Sequence, residues 1–199
     1  MPENTRQWNL GLTWQAKGRY SVTADAYVGE VRDKIVAVPV NMFIWRTINM
    51  GRVRVAGLDV VASAVQPVGH GHTLLGSVNY SLQHATNRTN SESPYYGNQL
   101  AYTPEHSGAA LVAWENPWVN MSLHANGASA RYATTEHYDG THINGYIELS
   151  ASVYRTFRFG RHSIEARVDL RNILDTQYEI VRLYPMPGRS FVCMVRWNI

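Results

Sequence analysis

The sequence predicts an all-β protein, an antiparallel up-and-down wall of a transmembrane β-barrel with about nine strands. Three observations predict it. Apolar residues recur at every second position over long stretches, which places them on one face of a strand. Tight turns alternate with longer loops to the C-terminus, the asymmetry of outer-membrane barrels with short periplasmic turns and longer extracellular loops. Aromatic residues gather near the tight turns, at Trp14, Tyr20, Trp114, Trp118, Phe157, Phe159 and Trp197, where amphipathic rings suit a lipid–water interface.

From residue 6 the first segment sets Trp8, Leu10, Leu12 and Trp14 against Asn9, Gly11, Thr13 and Gln15, and Lys17-Gly18 turns the chain. The second sets Tyr20, Val22, Ala24, Ala26 and Val28 against Ser21, Thr23, Asp25, Tyr27 and Gly29. A longer loop is expected near 37–46. Over 52–66 only Leu58, Val60, Ala62 and Ala64, against Asp59, Val61 and Ser63, keep the period, and Pro67 to Gly71 makes the next tight turn. Leu74, Gly76, Val78, Tyr80 and Leu82 then oppose Leu75, Ser77, Asn79, Ser81 and Gln83, before a second long loop over 86–104. The 106–114 segment is small and apolar on both faces and turns at Glu115 to Pro117. Val119, Met121, Leu123 and Ala125 oppose Asn120, Ser122, His124 and Asn126, and a third long loop covers 133–144. Ile147, Leu149, Ala151 and Val153 oppose Tyr146, Glu148, Ser150, Ser152 and Tyr154, with a turn at Arg158 to Arg161. Ile164, Ala166, Val168 and Leu170 oppose Glu165, Arg167, Asp169 and Arg171, and a fourth long loop covers 173–188. The last strand alternates Phe191, Cys193, Val195, Trp197 and Ile199 against Val192, Met194, Arg196 and Asn198, ending at the periplasmic rim.

Composition narrows the choice. The 199 residues carry 18 Lys+Arg against 15 Asp+Glu, a net charge of +3 with pI near 9.1. The positive residues are scattered, so no nucleic-acid footprint is present. A single cysteine, Cys193, excludes an intrachain disulfide framework. Mean hydropathy is −0.28, and no apolar run is long enough for a spanning helix. A spanning strand needs only about 9–11 residues, apolar on the lipid side alone. Alternation also fits a soluble sandwich or lipocalin-like barrel. The density of the polar face, the strand lengths and the aromatic positions favour the membrane. The segment from Met1 to Arg6 is polar and has no secretory-signal pattern. An odd number of strands would leave two unpaired edges, which is costly in hydrocarbon. Together these features predict the C-terminal part of a larger barrel.

No catalytic motif is present: there is no Gly-x-Ser-x-Gly elbow, P-loop, Gly-x-Gly-x-x-Gly or His-Glu-x-x-His, so no enzyme is expected. Glu148, Glu165 and Asp169 share a face and read as solvated lumen charges. The run from Glu136 to His142 has a loose His-x₄-His spacing without a third ligand, so no metal or cofactor is assigned, although His137 or His142 could contact haem. Trp45, Tyr95, Tyr96, Asn98, Tyr102, His137, Tyr138 and His142 are the candidate loop contacts for a large ligand, since flat rings and amides hold such molecules. Equally, these aromatics suit an upper girdle or loop-on-loop packing.

The run Arg171-Asn172-Ile173-Leu174-Asp175-Thr176-Gln177-Tyr178-Glu179 resembles an Asn-Leu-Phe-Asp pattern followed by Tyr-Glu, found before the last strand of TonB-dependent outer-membrane receptors. Ile173-Leu174 stands where that family often has Leu-Phe. Tyr184-Pro185-Met186-Pro187-Gly188-Arg189-Ser190-Phe191 resembles the Pro-Gly-Arg-aromatic lead into its final strand. The stretch Asp33-Lys34-Ile35-Val36, then Thr47 to Gly51 and Ala56-Gly57-Leu58-Asp59, is similar to its mid-barrel strands. Tyr102-Thr103-Pro104 and Met1-Pro2-Glu3 are similar to further family segments. The resemblance covers nearly the whole chain and is nearest to receptors of Bacteroidetes-like bacteria, including cobalamin-type ones. It implies that residues 1–199 are the C-terminal portion of a barrel of about 22 strands, in the outer membrane of a Gram-negative cell and embedded in its lipid. It implies active uptake of an iron–siderophore, haem or cobalamin, with a plug domain and TonB as partners that this segment does not touch. It marks Asn172, Asp175, Tyr178, Pro185, Gly188, Arg189, Phe191 and Ile199 as structural motif residues; the family usually ends in Phe where Ile199 stands. A complete small barrel acting as a pore or adhesin, or a soluble β-sheet binding protein, are the alternatives.

Overall fold

The computed structural model describes residues 2–39 and 44–198, with the backbone alone at 36–39, 45, 48 and 50. Thirteen strands follow one another in these residues: β1 (Asn4–Ala16), β2 (Tyr20–Pro39), β3 (Trp45–Gly69), β4 (His72–Asn87), β5 (His106–Glu115), β6 (Asn120–Ala128), β7 (Arg131–Tyr132), β8 (His142–Ile143), β9 (Tyr146–Phe159), β10 (His162–Arg171), β11 (Glu179–Val181), β12 (Tyr184–Pro185) and β13 (Ser190–Asn198). Nine of them form one antiparallel sheet in the order β1-β2-β3-β4-β5-β6-β9-β10-β13. The short strands pair as two ribbons, β7 with β8 between β6 and β9, and β11 with β12 between β10 and β13. No described helix is long and apolar enough to cross a membrane, which says nothing of a crossing by strands.

The register keeps the predicted faces separate across the whole sheet. One row runs Trp14, Val22, Ala62, Val78, Ala110, Ala125 and Leu149. The row beside it, one residue along, runs Thr13, Thr23, Val61, Asn79, Ala109, Asn126 and Glu148. These rows cross seven strands, and Ala151, Leu170 and Phe191 carry the same phase through β10 and β13, so that, since a one-residue slip would exchange the faces, the register defines one apolar side and one polar side. The apolar side is uncovered: Trp8 is 79% exposed, Leu12 68%, Ile147 63%, Phe191 73% and Val195 74%. A soluble sandwich buries this side, and soluble monomers rarely expose contiguous apolar patches beyond a few hundred Å². Hydrocarbon is the solvent that suits it.

The tight turns have local causes. Lys17 and Gly18 both have positive φ, 52° and 61°, as a two-residue hairpin needs, and Arg19 N donates to Ala16 O at 3.0 Å. At the third turn Asn116 Oδ1 accepts from Trp118 N at 2.9 Å and Val119 N at 3.0 Å. Around the second and third turns Trp114 Nε1 donates to His72 Nδ1 at 3.1 Å, and Trp118 meets the same imidazole edge-on.

One expectation is revised. The loop near 37–46 is largely absent, because the β2–β3 ladder continues through Lys34–Met50 and Ala37–Thr47 to Pro39–Trp45, leaving residues 40–43 outside the described part. A 20-residue β2 and a 25-residue β3 exceed what a bilayer requires, so this hairpin projects beyond it. The weak alternation at 52–57 also has a cause. Val31, Val53 and Ala85 lie on the otherwise polar face and are buried there with Leu100, from the loop after β4, which folds back over them. Leu100 N donates to Ala85 O at 2.8 Å, and Val53 has no exposed surface.

Candidate functional site

The long loops at one end of the sheet bend over its polar face and fasten to one another. Tyr102 N donates to Tyr132 O at 2.7 Å, Asn98 Nδ2 donates to Thr135 O at 3.0 Å, and Ala101 N donates to Thr135 Oγ1 at 3.2 Å. These bonds join the loop after β4 to the loop after β6. Arg131, on β7, then reaches β11, its Nη2 donating to Glu179 O at 2.9 Å and Ile180 O at 3.0 Å. Beneath this roof lies a recess of about 720 Å³. Its floor is the polar face at Asp59, Asn79, Ser81, Ser107 and Asn126, and its roof is Tyr102, Pro104, Arg131, Ile180 and Val181, with Tyr146 at the side. A concave site of this size, part apolar with convergent polar groups, can enclose a small molecule.

The roof residues are electrostatically distinct. Arg131 is only 6% exposed, and burial depresses the pKa of its guanidinium below the ordinary value. Burial likewise raises the Tyr102 phenol. Tyr146 stacks on Tyr178 with centroids 4.1 Å apart, and Tyr178 Oη donates to Glu148 Oε2 at 2.6 Å. Burial first, and then the bond to this carboxylate, push the Tyr178 phenol well above its usual range. The polar floor is braced too: Asp59 accepts from Ser81 Oγ at 2.5 Å, and Asp169 accepts from Ser152 Oγ at 2.5 Å and Arg167 Nε at 2.7 Å.

Of the candidate loop contacts, Tyr102 alone lines the recess. The structure brings most of the others together above it. Tyr132 is stacked on His137 at 4.1 Å and meets His142 edge-on at 5.3 Å, while His137 Nε2 donates to Gln99 O at 2.9 Å. Tyr95 and Tyr138 share a hydroxyl–hydroxyl bond of 2.9 Å, which raises the Tyr138 phenol. Tyr96 lies under the Arg88 guanidinium at 4.8 Å. The side chain of Trp45 lies outside the described residues, as does Ile199. Among the described residues no group of three His, Cys, Asp or Glu side chains could hold a metal ion, and the rings of His137 and His142 both lie against Tyr132. Sequence reasoning missed Arg131, Tyr146, Ile180 and Val181. Tyr146 was legible as a polar-face position; a lone arginine in a loop carried no signal.

The motif residues form a separate knot where β10 gives way to the last loop. Asn172 is 2% exposed with φ 48°. Its Nδ2 donates to Thr176 O at 3.0 Å and Pro187 O at 3.1 Å, and its Oδ1 accepts from Thr176 N at 2.9 Å. Asp175 Oδ1 accepts from Arg189 N at 2.8 Å, and a Cβ at Gly188 would stand 2.9 Å from that oxygen. Pro185 pairs with Glu179 across the β11–β12 ribbon, and Phe191 faces outward opposite Leu170.

Comparison with known proteins agrees with this architecture. No curated protein matches the sequence. Among solved structures, the ferric citrate transporter FecA in its unliganded form superposes with a TM-score of 0.78 at 20% identity, over 98% of this chain and 31% of that one. The ferric preacinetobactin receptor BauA from Acinetobacter baumannii gives 0.75 at 16% identity, over 97% and 29%. The copper transporter OprC gives 0.68 at 19%, over 99% and 30%. At these identities the likeness is one of fold, and the chain spans under a third of each of these proteins. Residues 1–173 match the family described as TonB dependent receptor-like, beta-barrel, and the chain belongs to that family.

Proposed function

We propose that this chain is the C-terminal portion of the barrel of a TonB-dependent receptor, and that the receptor takes up a large, scarce nutrient across the outer membrane, an iron chelate before haem or cobalamin. The observation that carries the reading is the loop-roofed recess on the polar face of a wall whose other face is apolar. Such a wall holds its ligand from the lumen side while lipid contacts the outside. Family membership supports the receptor and the membrane, since TonB-dependent receptors are outer-membrane proteins that work with TonB. The choice of an iron chelate is supported by structural neighbours described as receptors for ferric preacinetobactin, ferric catecholates and ferric citrate. In this reading Tyr102 contacts the ligand, and Tyr95, Tyr96, Asn98, His137, Tyr138 and His142 set the shape of the loops above it. The plug and the TonB-contacting segment belong to other parts of the receptor, so residues 1–199 alone are not expected to transport.

Two measurements test the reading. Sequencing the DNA upstream of the Met1 codon should reveal an open frame for a plug and a dozen or so further strands. The whole receptor, expressed in an iron-starved strain, should then take up labelled iron chelate only when TonB is present. Uptake independent of TonB, or an upstream promoter followed by a signal peptide and no plug, overturns it.

A further inference from the structure

We propose that the turn end of the β9–β10 hairpin binds the headgroup of an anionic phospholipid from the periplasmic leaflet, with Arg155 on its phosphate. The inference needs the wall to stand in a bilayer and does not depend on what the receptor carries.

Arg155 is an exposed cation on the apolar side of the wall. In β9 it keeps the phase of Leu149, Ala151, Val153 and Phe157, and the register sets it beside Ala166 of β10, which pairs in turn with Val195 of β13. One row further from the turn, Val153 pairs with Met121 of β6 and Val168 of β10, so the strands on both sides are apolar here. No described carboxylate forms an ion pair with Arg155. A charge on the lipid face is costly at the bilayer centre and tolerated near its boundary. The side chain reaches for that boundary: its guanidinium carbon stands 5.0 Å from the centre of the Phe157 ring, two residues nearer the turn. An arginine bends this way when its stem stays with apolar groups and its head seeks the polar interface.

The surroundings at that level suit a phospholipid. Below Arg155 the outer face ends in exposed rings, with Phe157 in one row with Ile164 and Trp197, and Phe159 paired with His162. The rings of Trp197 and His162 stand 6.1 Å apart. Rings of this kind sit at the depth of the headgroups. The hairpin end adds Arg158 and Arg161, so residues 155–162 hold three arginines and no acid. Glu165, the next acid along the chain, lies in the opposite phase, paired with Thr156 and Arg196 on the polar side. The planar guanidinium offers paired donors to phosphate oxygens. Because no acid balances the turn, a headgroup with net negative charge is favoured over a zwitterionic one. The acyl chains would then run up the wall past Ala166, Val153 and Val168. Short turns mark the periplasmic side, and the leaflet on that side of an outer membrane is built of phospholipid.

The test offers the full-length receptor, in detergent, equal amounts of dioleoylphosphatidylglycerol and dioleoylphosphatidylcholine, and reads the retained lipid by native mass spectrometry. The wild type should retain phosphatidylglycerol over phosphatidylcholine by about fivefold or more, the gain expected from one arginine at a charged lipid surface. Arg155→Gln should bring the two lipids close to parity. Arg196→Gln removes the same charge at nearly the same height on the polar side, and should leave the preference unchanged. A wild-type receptor that retains both lipids equally overturns the proposal. So does a preference that survives Arg155→Gln, or one that Arg196→Gln lowers as much, since charge anywhere on the barrel would then account for it. TonB-dependent uptake is a separate measurement: it tests the receptor reading and stands or falls without regard to which lipid is held.

Discussion

Asn172 shows how a single side chain closes a barrel strand. Its amide satisfies three backbone groups of the last loop while its own backbone sits at φ 48°, a conformation Asn tolerates and most residues do not. Alanine there would lose all three bonds, strand buried carbonyls and keep the unfavourable φ. Asn172→Ala should cost about 2–4 kcal/mol, and Asn172→Gly less, since glycine relieves the backbone but not the bonds. Urea unfolding of the full-length receptor in detergent checks this; equal losses for the two variants would mean that the backbone conformation contributes nothing. The knot was visible in the sequence as a motif, because Asn and Asp flanking a strand end are the residues that cap loose backbone groups. Arg131 was not visible, because its character comes from burial under three loops that no local pattern describes.

Among the elements, the strands were the legible part and the loops were not. A period of two survives wherever one face meets lipid and the other water, which is why β1, β4, β6, β9, β10 and β13 read directly from the sequence. It fails where a loop re-covers the polar face, as over Val53 and Val55 in β3. It also gave no sign that β2 and β3 extend as one long hairpin in place of a loop. The two faces make opposite forecasts for adjacent residues. Val78 is exposed in the middle of the apolar side on a strand paired at both edges, and Ser77 faces the other way. Val78→Arg should destabilise the receptor by about 2–4 kcal/mol in lipid vesicles, and Ser77→Arg by much less, because only the former meets hydrocarbon. Reversible unfolding from vesicles measures both. Equal costs would remove the assignment of faces.

For the molecule as a whole, the sheet poses the question of what covers its edges. Among the described residues β1 pairs only with β2, and β13 only with β10. Each therefore presents a row of unpaired backbone groups on its outer side, and in hydrocarbon each such group costs several kcal/mol. Water can satisfy those groups, but the same wall exposes Trp8, Leu10, Leu12, Phe191 and Val195, which water does not suit. An open nine-stranded wall suits neither solvent, and further strands that complete a ring would end the conflict. On the proposed reading those strands belong to the rest of the receptor. Prepared as these 199 residues in detergent, the chain should associate through its edges into larger species. Its alternate β1 amides should exchange with deuterium much faster than those of β4, which is paired on both sides. Supplying the remaining barrel strands from a second polypeptide should convert these species to a single complex and slow the β1 exchange towards that of β4. A monodisperse monomer in detergent with β1 amides already protected would mean that the sheet closes on itself, and the chain would then be a small barrel in its own right.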